Sequence, residues 1–150
     1  MTAEEYEHWR PRSVAEYAAE NVVSGKWSAE EASQKSSEEF EQLLPQGLAT
    51  PKHHLWTITR VADREEVGVL WINEVEKPQP LAFIYNIEIF EPFRRRGHAM
   101  QAMTLLEVEA RKLGLGSIRL HVFAHNRAAI PLYEKLGYVA TNILMAKTLE

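Results

Sequence analysis

The residue types able to do chemistry gather in a few short stretches. Residues 93–103 read FRRRGHAMQAM, three arginines running into a glycine. LAFIYNIEIF, at 81–90, carries the carboxylate of Glu88 in an otherwise apolar segment. SIRLHVF, at 117–123, carries His121, a residue type that exchanges protons near pH ~6.5. PLYEKLGY, at 131–138, carries Tyr133, whose position in a helical pattern also fits an aromatic packed in the core.

The arginine run has three readings: a nucleic-acid patch, a solvated charge run, or a seat for a phosphate-bearing ligand. It lies between an apolar strand pattern and a helical one. At a helix start the backbone N–H groups lack partners, and the helix dipole places about half a positive charge there. A pyrophosphate docks readily at such a place, and neighbouring arginines add to the potential. Gly97 and Ala99 keep side chains short where backbone must approach a ligand. A short basic run is also common on an ordinary surface.

Several chemistries are excluded. The chain has 150 residues and no cysteine, so disulfides, thiolate catalysis and cysteine-ligated metals are ruled out. The GxxxxGK[ST] phosphate loop is missing, and Gly114-Leu115-Gly116 precedes a strand rather than opening a helix, the wrong context for a dinucleotide fingerprint. No GxSxG elbow is present. No metal site is expected. His53 and His54 are adjacent in an extended segment and point apart, while His121 and His125 stand roughly 13 Å apart in extended chain. Lys+Arg total 17 and Asp+Glu 21, a net charge of -4, which argues against a nucleic-acid binder. The start, MTAEEYEHWR, is acidic and lacks the apolar core of a signal peptide, and no apolar run is long enough to span a membrane. A cytoplasmic protein with no membrane partner, monomeric or homodimeric, is expected.

The elements that must position these residues form an α/β pattern. VAEYAAENVVSGKW reads as a helix stopped by Gly25. Ser28 and Glu31 make a capping box for a second helix ending before Pro45. HLWTITR, VGVLWINEV and LAFIYNIEIF read as strands, the second buried on both faces. In the third, Leu81, Phe83, Tyr85, Ile87 and Ile89 alternate onto one face, and Asn86 and Glu88 fall on the other. After Gly97, the residues Ala99, Met103, Leu106, Ala110 and Leu113 form a helical stripe closed by Gly114. SIRLHVF reads as a strand, Asn126 as the cap of a last helix stopped by Gly137, and YVATNILMAKTL as a final strand or hairpin turning at Thr141-Asn142.

FRRRGHA resembles the [Q/R]-x-x-G-x-[G/A] signature of the GCN5-related N-acetyltransferase (GNAT) superfamily, through Arg94, Gly97 and Ala99. HVFAHNRAAIPLYEKLGY is similar to that family's N-x-x-A-x-x-L-Y-E-K-x-G-[F/Y] segment, through Asn126, Ala129, Leu132, Tyr133, Glu134, Lys135, Gly137 and Tyr138. The blocks lie in the family's order, and the chain looks most like small bacterial acetyltransferases. The resemblance is clear from about His53 to Leu149. It implies a single domain over 1–150, with a helical part at 1–50 and a cofactor-binding and catalytic core at 53–149. The implied fold is a mixed, mostly antiparallel twisted sheet with helices on both faces, splayed at the cofactor site. The family's first strand is not evident in MTAEEYEHWRPRSV.

The resemblance implies acetyl-CoA as co-substrate and an amine as acceptor. The pyrophosphate site falls on Arg94, Arg95, Arg96, Gly97, His98, Ala99 and Met100, the pantetheine site on Ile87, Glu88 and Ile89, with a further contact from Asn126. Tyr133 stands at the position of the family's proton donor, beside the cofactor. His121 stands where some N-terminal acetyltransferases carry a base, and Glu88 competes for that role. The expected function is acetyl transfer to a primary amine, a peptide N-terminus or a small molecule, by direct attack in a ternary complex. A non-catalytic acyl-CoA-binding regulatory module on the same fold is the alternative.

Overall fold

A computed structural model describes residues 1–149. The first helix, α1, runs Ala3–Val23 and starts earlier than the apolar pattern indicates. Its start is set by a capping box in which Thr2 accepts from the Glu5 N–H and Glu5 accepts from the Thr2 N–H. Pro11 is accommodated inside it. The second helix, α2, covers Ala32–Leu43. The Ser28 box is half formed: the Ser28 N–H donates to Glu31, and the helix itself begins one turn later.

Four strands follow in one sheet. β1 is His53–Thr59, β2 Glu66–Val75, β3 Leu81–Ile89 and β4 Ser117–Leu120. Their spatial order is β1-β2-β3-β4, antiparallel except for the parallel β3–β4 pair. Helix α3, His98–Lys112, makes the crossover between the parallel strands, and α4, Ala129–Lys135, follows β4. Among the described residues no strand precedes His53, and no helix is long and apolar enough to cross a membrane.

Each sheet face has its own core. On one side Leu70, Ile72, Ala82 and Ile84 pack against Met103, Leu106 and Ala110 of α3, with Tyr133 and Leu136 of α4 at the margin. On the other, Leu55, Val69 and Trp71 pack against Tyr6 and Trp9 of α1 and Phe40 of α2. Because β2 lies between these clusters, six consecutive residues of it, Val67–Ile72, are buried.

Two expectations are corrected. The alternation read along β3 does not hold through its length. Trp71 pairs with Asn86 but Ile72 pairs with Ile84, so Tyr85 is an extra residue, a bulge. The bulge shifts the phase: Ala82, Ile84 and Ile87 meet the α3 side, while Phe83 and Tyr85 stack toward Trp71 on the α1 side. The final strand is also not formed. Residues 139–149 belong to no strand, and β4 stops at Leu120.

Candidate functional site

The site grows from the place where two parallel strands part. Ile84–Leu120 is the last rung between β3 and β4. Beyond it β3 continues to Ile89 along β2 alone, and the chain after Leu120 runs on through His121 without pairing to it. The edge of β3 over 85–89 therefore loses its neighbour, leaving backbone groups facing a gap.

Below the gap lies the arginine run. A short 3₁₀ turn, Glu91–Phe93, leads from β3 into it, and Arg95 (φ 63°) and Gly97 (φ 84°) both take left-handed conformations. A Cβ added at Gly97 would meet nothing within 4 Å, so glycine is needed there for its backbone angle and not for space. The Arg94 N–H bonds to Glu91 and the Gln101 N–H to Gly97, whereas no N–H from Arg95 to Met100 finds a protein acceptor. Those six groups lie at and just before the positive end of α3. The structure thus brings Arg94, Arg95, Arg96, Gly97, His98, Ala99 and Met100 together in one turn next to the end of β3. The Nε2 of His98 is buried there without a partner.

Two close contacts hold this end of β3. Arg94 Nε donates to the Ile89 carbonyl at 2.8 Å, tying the arginine turn back to the strand. At Gly68 on β2, an added Cβ would stand 2.1 Å from the Glu88 carbonyl oxygen, so only glycine permits β2 this close to β3. Neither role is visible in local sequence.

The proton-handling side chains fall on opposite faces. Tyr133 lies on the α3 side, packed beside the cluster that holds Ile84 and Met103, its ring 5.8 Å from that of Tyr138. Burial pushes its hydroxyl above the usual tyrosine value. Ile118 and Leu120 pack on the same side, whereas His121 belongs to a row of rings that reaches α1. His121, Phe123 and His125 form a row of rings with centroids 5.2 and 5.3 Å apart, and His125 pairs with Glu20 of α1.

Glu88 also faces α1, with its carboxylate accepting from Arg12 at 3.0 Å. Asn86 donates to Ser13 of α1 at 3.4 Å, and the Arg12 guanidinium lies 4.8 Å from the centre of the Phe90 ring. Glu16 joins this group, and burial together with the charge on Glu88 pushes its carboxyl above the usual range. Arg12, Glu16 and Glu20 lie on a helix separated from β3 by two other strands in the chain, and no local signal marks them.

Asn126 sits at the start of α4, where its side-chain oxygen accepts from the Ala129 N–H at 3.3 Å, the cap expected there. Pro131 falls in the first turn of α4 and is tolerated. A cavity of about 590 Å³ lies elsewhere, between α1 and the β1–β2 pair, and reaches the site only at Arg12 and Phe90. The arginine turn is an open surface rather than an enclosed pocket.

Comparison with known proteins agrees with this architecture. The model of the acetyltransferase (GNAT) family matches residues 14–138. Two Bacillus subtilis (strain 168) proteins named as uncharacterised N-acetyltransferases are each 43% identical over 150 residues: YycN, with 99% of this chain and 96% of its own covered, and YdgE, with 99% and 95%. The crystal structure of YycN superposes with a TM-score of 0.94 at 42% identity, covering 100% of this chain and 96% of that one. A more distant structure, AAC(6')-Iy in complex with the bisubstrate analogue CoA-S-monomethyl-acetylneamine, shares the fold at TM-score 0.56 and 16% identity, over 78% of this chain and 80% of its own. The chain belongs to the GNAT acetyltransferase family.

Proposed function

We propose that this GNAT-family chain, acting as one domain over 1–150, moves an acetyl group from acetyl-CoA to a primary amine by direct attack. The observation that carries the reading is the run of six unpartnered N–H groups, Arg95 to Met100, set beside the unpaired end of β3. This arrangement fits a pyrophosphate: the donors are unpartnered, the helix dipole is positive, Arg94–Arg96 flank it, and the space at Gly97 is open. The backbone of Ile87, Glu88 and Ile89 fits an amide-bearing arm laid along the gap, and the family resemblance assigns Asn126 a further contact with it. Bound acetyl-CoA supplies the activated acetyl group.

The chain's own groups then handle protons. The Tyr133 hydroxyl, kept protonated by burial, is the donor to the departing thiolate on the α3 side. His121, or Glu88, takes the proton from the amine on the α1 side. Glu88 is engaged by Arg12, which favours His121 as the freer base. Backbone N–H groups at the parted strand end stabilise the carbonyl oxygen as charge develops.

Glu16, Glu20 and Glu88 line the α1 side together with Arg12 and His125, which gives a polar approach for an amine. An α-amine has a pKa of ~8 and a lysine side chain ~10.4, so at neutral pH a lysine costs about 3 kcal/mol more to deprotonate. A single histidine matches the α-amine better, and a peptide N-terminus or a small amine of similar basicity is the acceptor class. The test is release of free CoA thiol from acetyl-CoA over a panel of α-amino peptides, small amines and N-blocked lysine peptides. Thiol release with α-amines supports the reading. Calorimetric CoA binding with no release on any amine would leave a regulatory acyl-CoA-binding module, and robust turnover of blocked lysine peptides alone would overturn the acceptor class.

A further inference from the structure

The bulge in β3 falls at the place where the sheet opens. Ile84–Leu120 is the last rung, so Tyr85 and His121 are the first residues past it on either side of the gap. Tyr85 is also the extra residue that the register with β2 leaves without a partner. A bulge beside a site re-aims the side chain it carries, and here that side chain is an aromatic ring on the α1 side.

Three rings hold it in place. Tyr85 stacks on Trp71 with centroids 4.8 Å apart and planes at 24°. Phe83 meets it at 5.1 Å and His53 at 5.9 Å. Trp71 is itself buried against Trp9 and Phe40, and its Nε1–H donates to His53 Nδ1 at 2.9 Å. Although packed in this way, Tyr85 keeps 38% of its surface exposed, so a ring already ordered by the fold presents itself to solvent at the gap. A fixed aromatic surface takes up an apolar partner with little further loss of freedom. Across the gap Phe123 stands edge-on to His121 with centroids 5.2 Å apart, so that residue too has a ring beside it.

The wall carries no charge at neutral pH. Burial and the neighbouring His54 hold His53 below the usual histidine value, and burial with the charge of Glu39 holds the Tyr85 hydroxyl above the usual tyrosine value. The carboxylates around it are engaged: Glu39 accepts from Tyr17 at 2.8 Å and stands 3.9 Å from Lys26, and Glu20 pairs with His125. A second ammonium on an acceptor would need a free carboxylate there, whereas an apolar group needs a neutral ring face. We infer that Tyr85 is the specificity-determining residue of the acceptor side, its exposed ring face receiving an apolar or aromatic group carried next to the acceptor's amine. The inference rests on the acetyl-transfer reading above for the side from which the amine arrives.

The test is calorimetric binding of acceptors in the presence of CoA, which needs no turnover and so stands apart from thiol release. The acceptors are short α-amino peptides that differ only in a first residue of phenylalanine, leucine or glycine. The unmodified protein should bind the first two ~10-fold or more tightly than the glycine-led peptide, the scale of small apolar differences in a fitted site. Tyr85→Gln should abolish that ratio with CoA affinity retained, and Tyr85→Phe should keep it, because the ring makes the contact. In the unmodified protein, a nuclear Overhauser contact between the Tyr85 ring and the side chain of the bound peptide gives a reading that needs no variant. Equal affinity for the three peptides would overturn the proposal, as would a ratio that survives Tyr85→Gln or tighter binding of a diamine than of the phenylalanine-led peptide. The expected ratio without thiol release would remove acetyl transfer and leave the role of Tyr85 standing.

Discussion

Arg12 and Glu88 are 76 residues apart in sequence, yet the Arg12 guanidinium donates to the Glu88 carboxylate at 3.0 Å, so α1 is clamped to the strand end at the site. The Glu88 side chain is 15% exposed and that of Arg12 45%, so the pair is worth on the order of 1 kcal/mol or less to stability. Its larger effect is on the proposed chemistry, because it occupies Glu88, one of the two candidate bases beside His121. His121→Ala is expected to lower turnover by ~10²–10⁴-fold and flatten the acid limb of the pH–rate profile, whereas Glu88→Gln keeps that limb. The reverse pattern would move the base to Glu88, and an acid limb retained in both variants would move it to water.

Tyr133→Phe separates binding from proton donation. Burial raises the hydroxyl's pKa, so the proton stays on through neutral and mildly alkaline pH and is lost only above the usual tyrosine value. Turnover in the Phe variant should fall ~10²–10⁴-fold with CoA affinity unchanged by calorimetry. Wild-type turnover, measured where the chemical step limits the rate, removes Tyr133 from the mechanism.

Two glycines should fail for different reasons. Gly97→Ala keeps the space but forces a side chain into a left-handed backbone, costing ~1–2 kcal/mol in denaturant unfolding, and Gly97→Glu should in addition abolish CoA binding by repelling phosphate. Gly68→Ala has no such backbone penalty. Its Cβ collides with the Glu88 carbonyl oxygen, so β3 must move where the gap opens. CoA affinity that survives both Gly97→Glu and Gly68→Ala would refute this placement of the cofactor.

The pair Glu5 and Glu66 gives a stability prediction. The hydrogen bond that protonated Glu66 donates to Glu5, burial and the like charge of Glu5 push Glu66 above the usual range, while the Thr2 backbone and the Thr57 hydroxyl hold Glu5 below it. A carboxyl with a raised folded pKa favours the folded state at low pH and loses that contribution as pH rises through the raised value. Glu66→Gln should therefore raise the unfolding midpoint at pH 7 and show little gain near pH 4. A gain independent of pH would mean the two carboxyls do not share a proton.

Much of this arrangement could be read from local sequence, because the signals are local. The arginine–glycine turn, the Asn126 cap and the stripe of α3 from Met103 through Leu106 to Ala110 each depend on residues within one or two turns, while Leu113, expected in that stripe, is the exposed C-cap. The bulge at Tyr85 was not legible: LAFIYNIEIF alternates well alone, and the extra residue exists only relative to the register of β2. The start of α1 was signalled by Thr2 and Glu5 but lies outside its apolar pattern. Arg12, Glu16 and Gly68 act on β3 through space. The expected last strand shows the converse, since strand propensity over 139–149 is local whereas pairing is a tertiary contact that this segment does not make.

The parting of β3 from β4 after Ile84–Leu120 has a consequence for the order of events on the proposed reading. With Tyr133 as donor on one side and His121 as base on the other, the proposal brings the acetyl donor and the amine to the gap from two directions. It then requires neither to depart before its counterpart arrives, and the chain has no cysteine to store the acyl group in between. The steady-state signature of such two-sided traffic is a set of intersecting double-reciprocal lines rather than parallel ones.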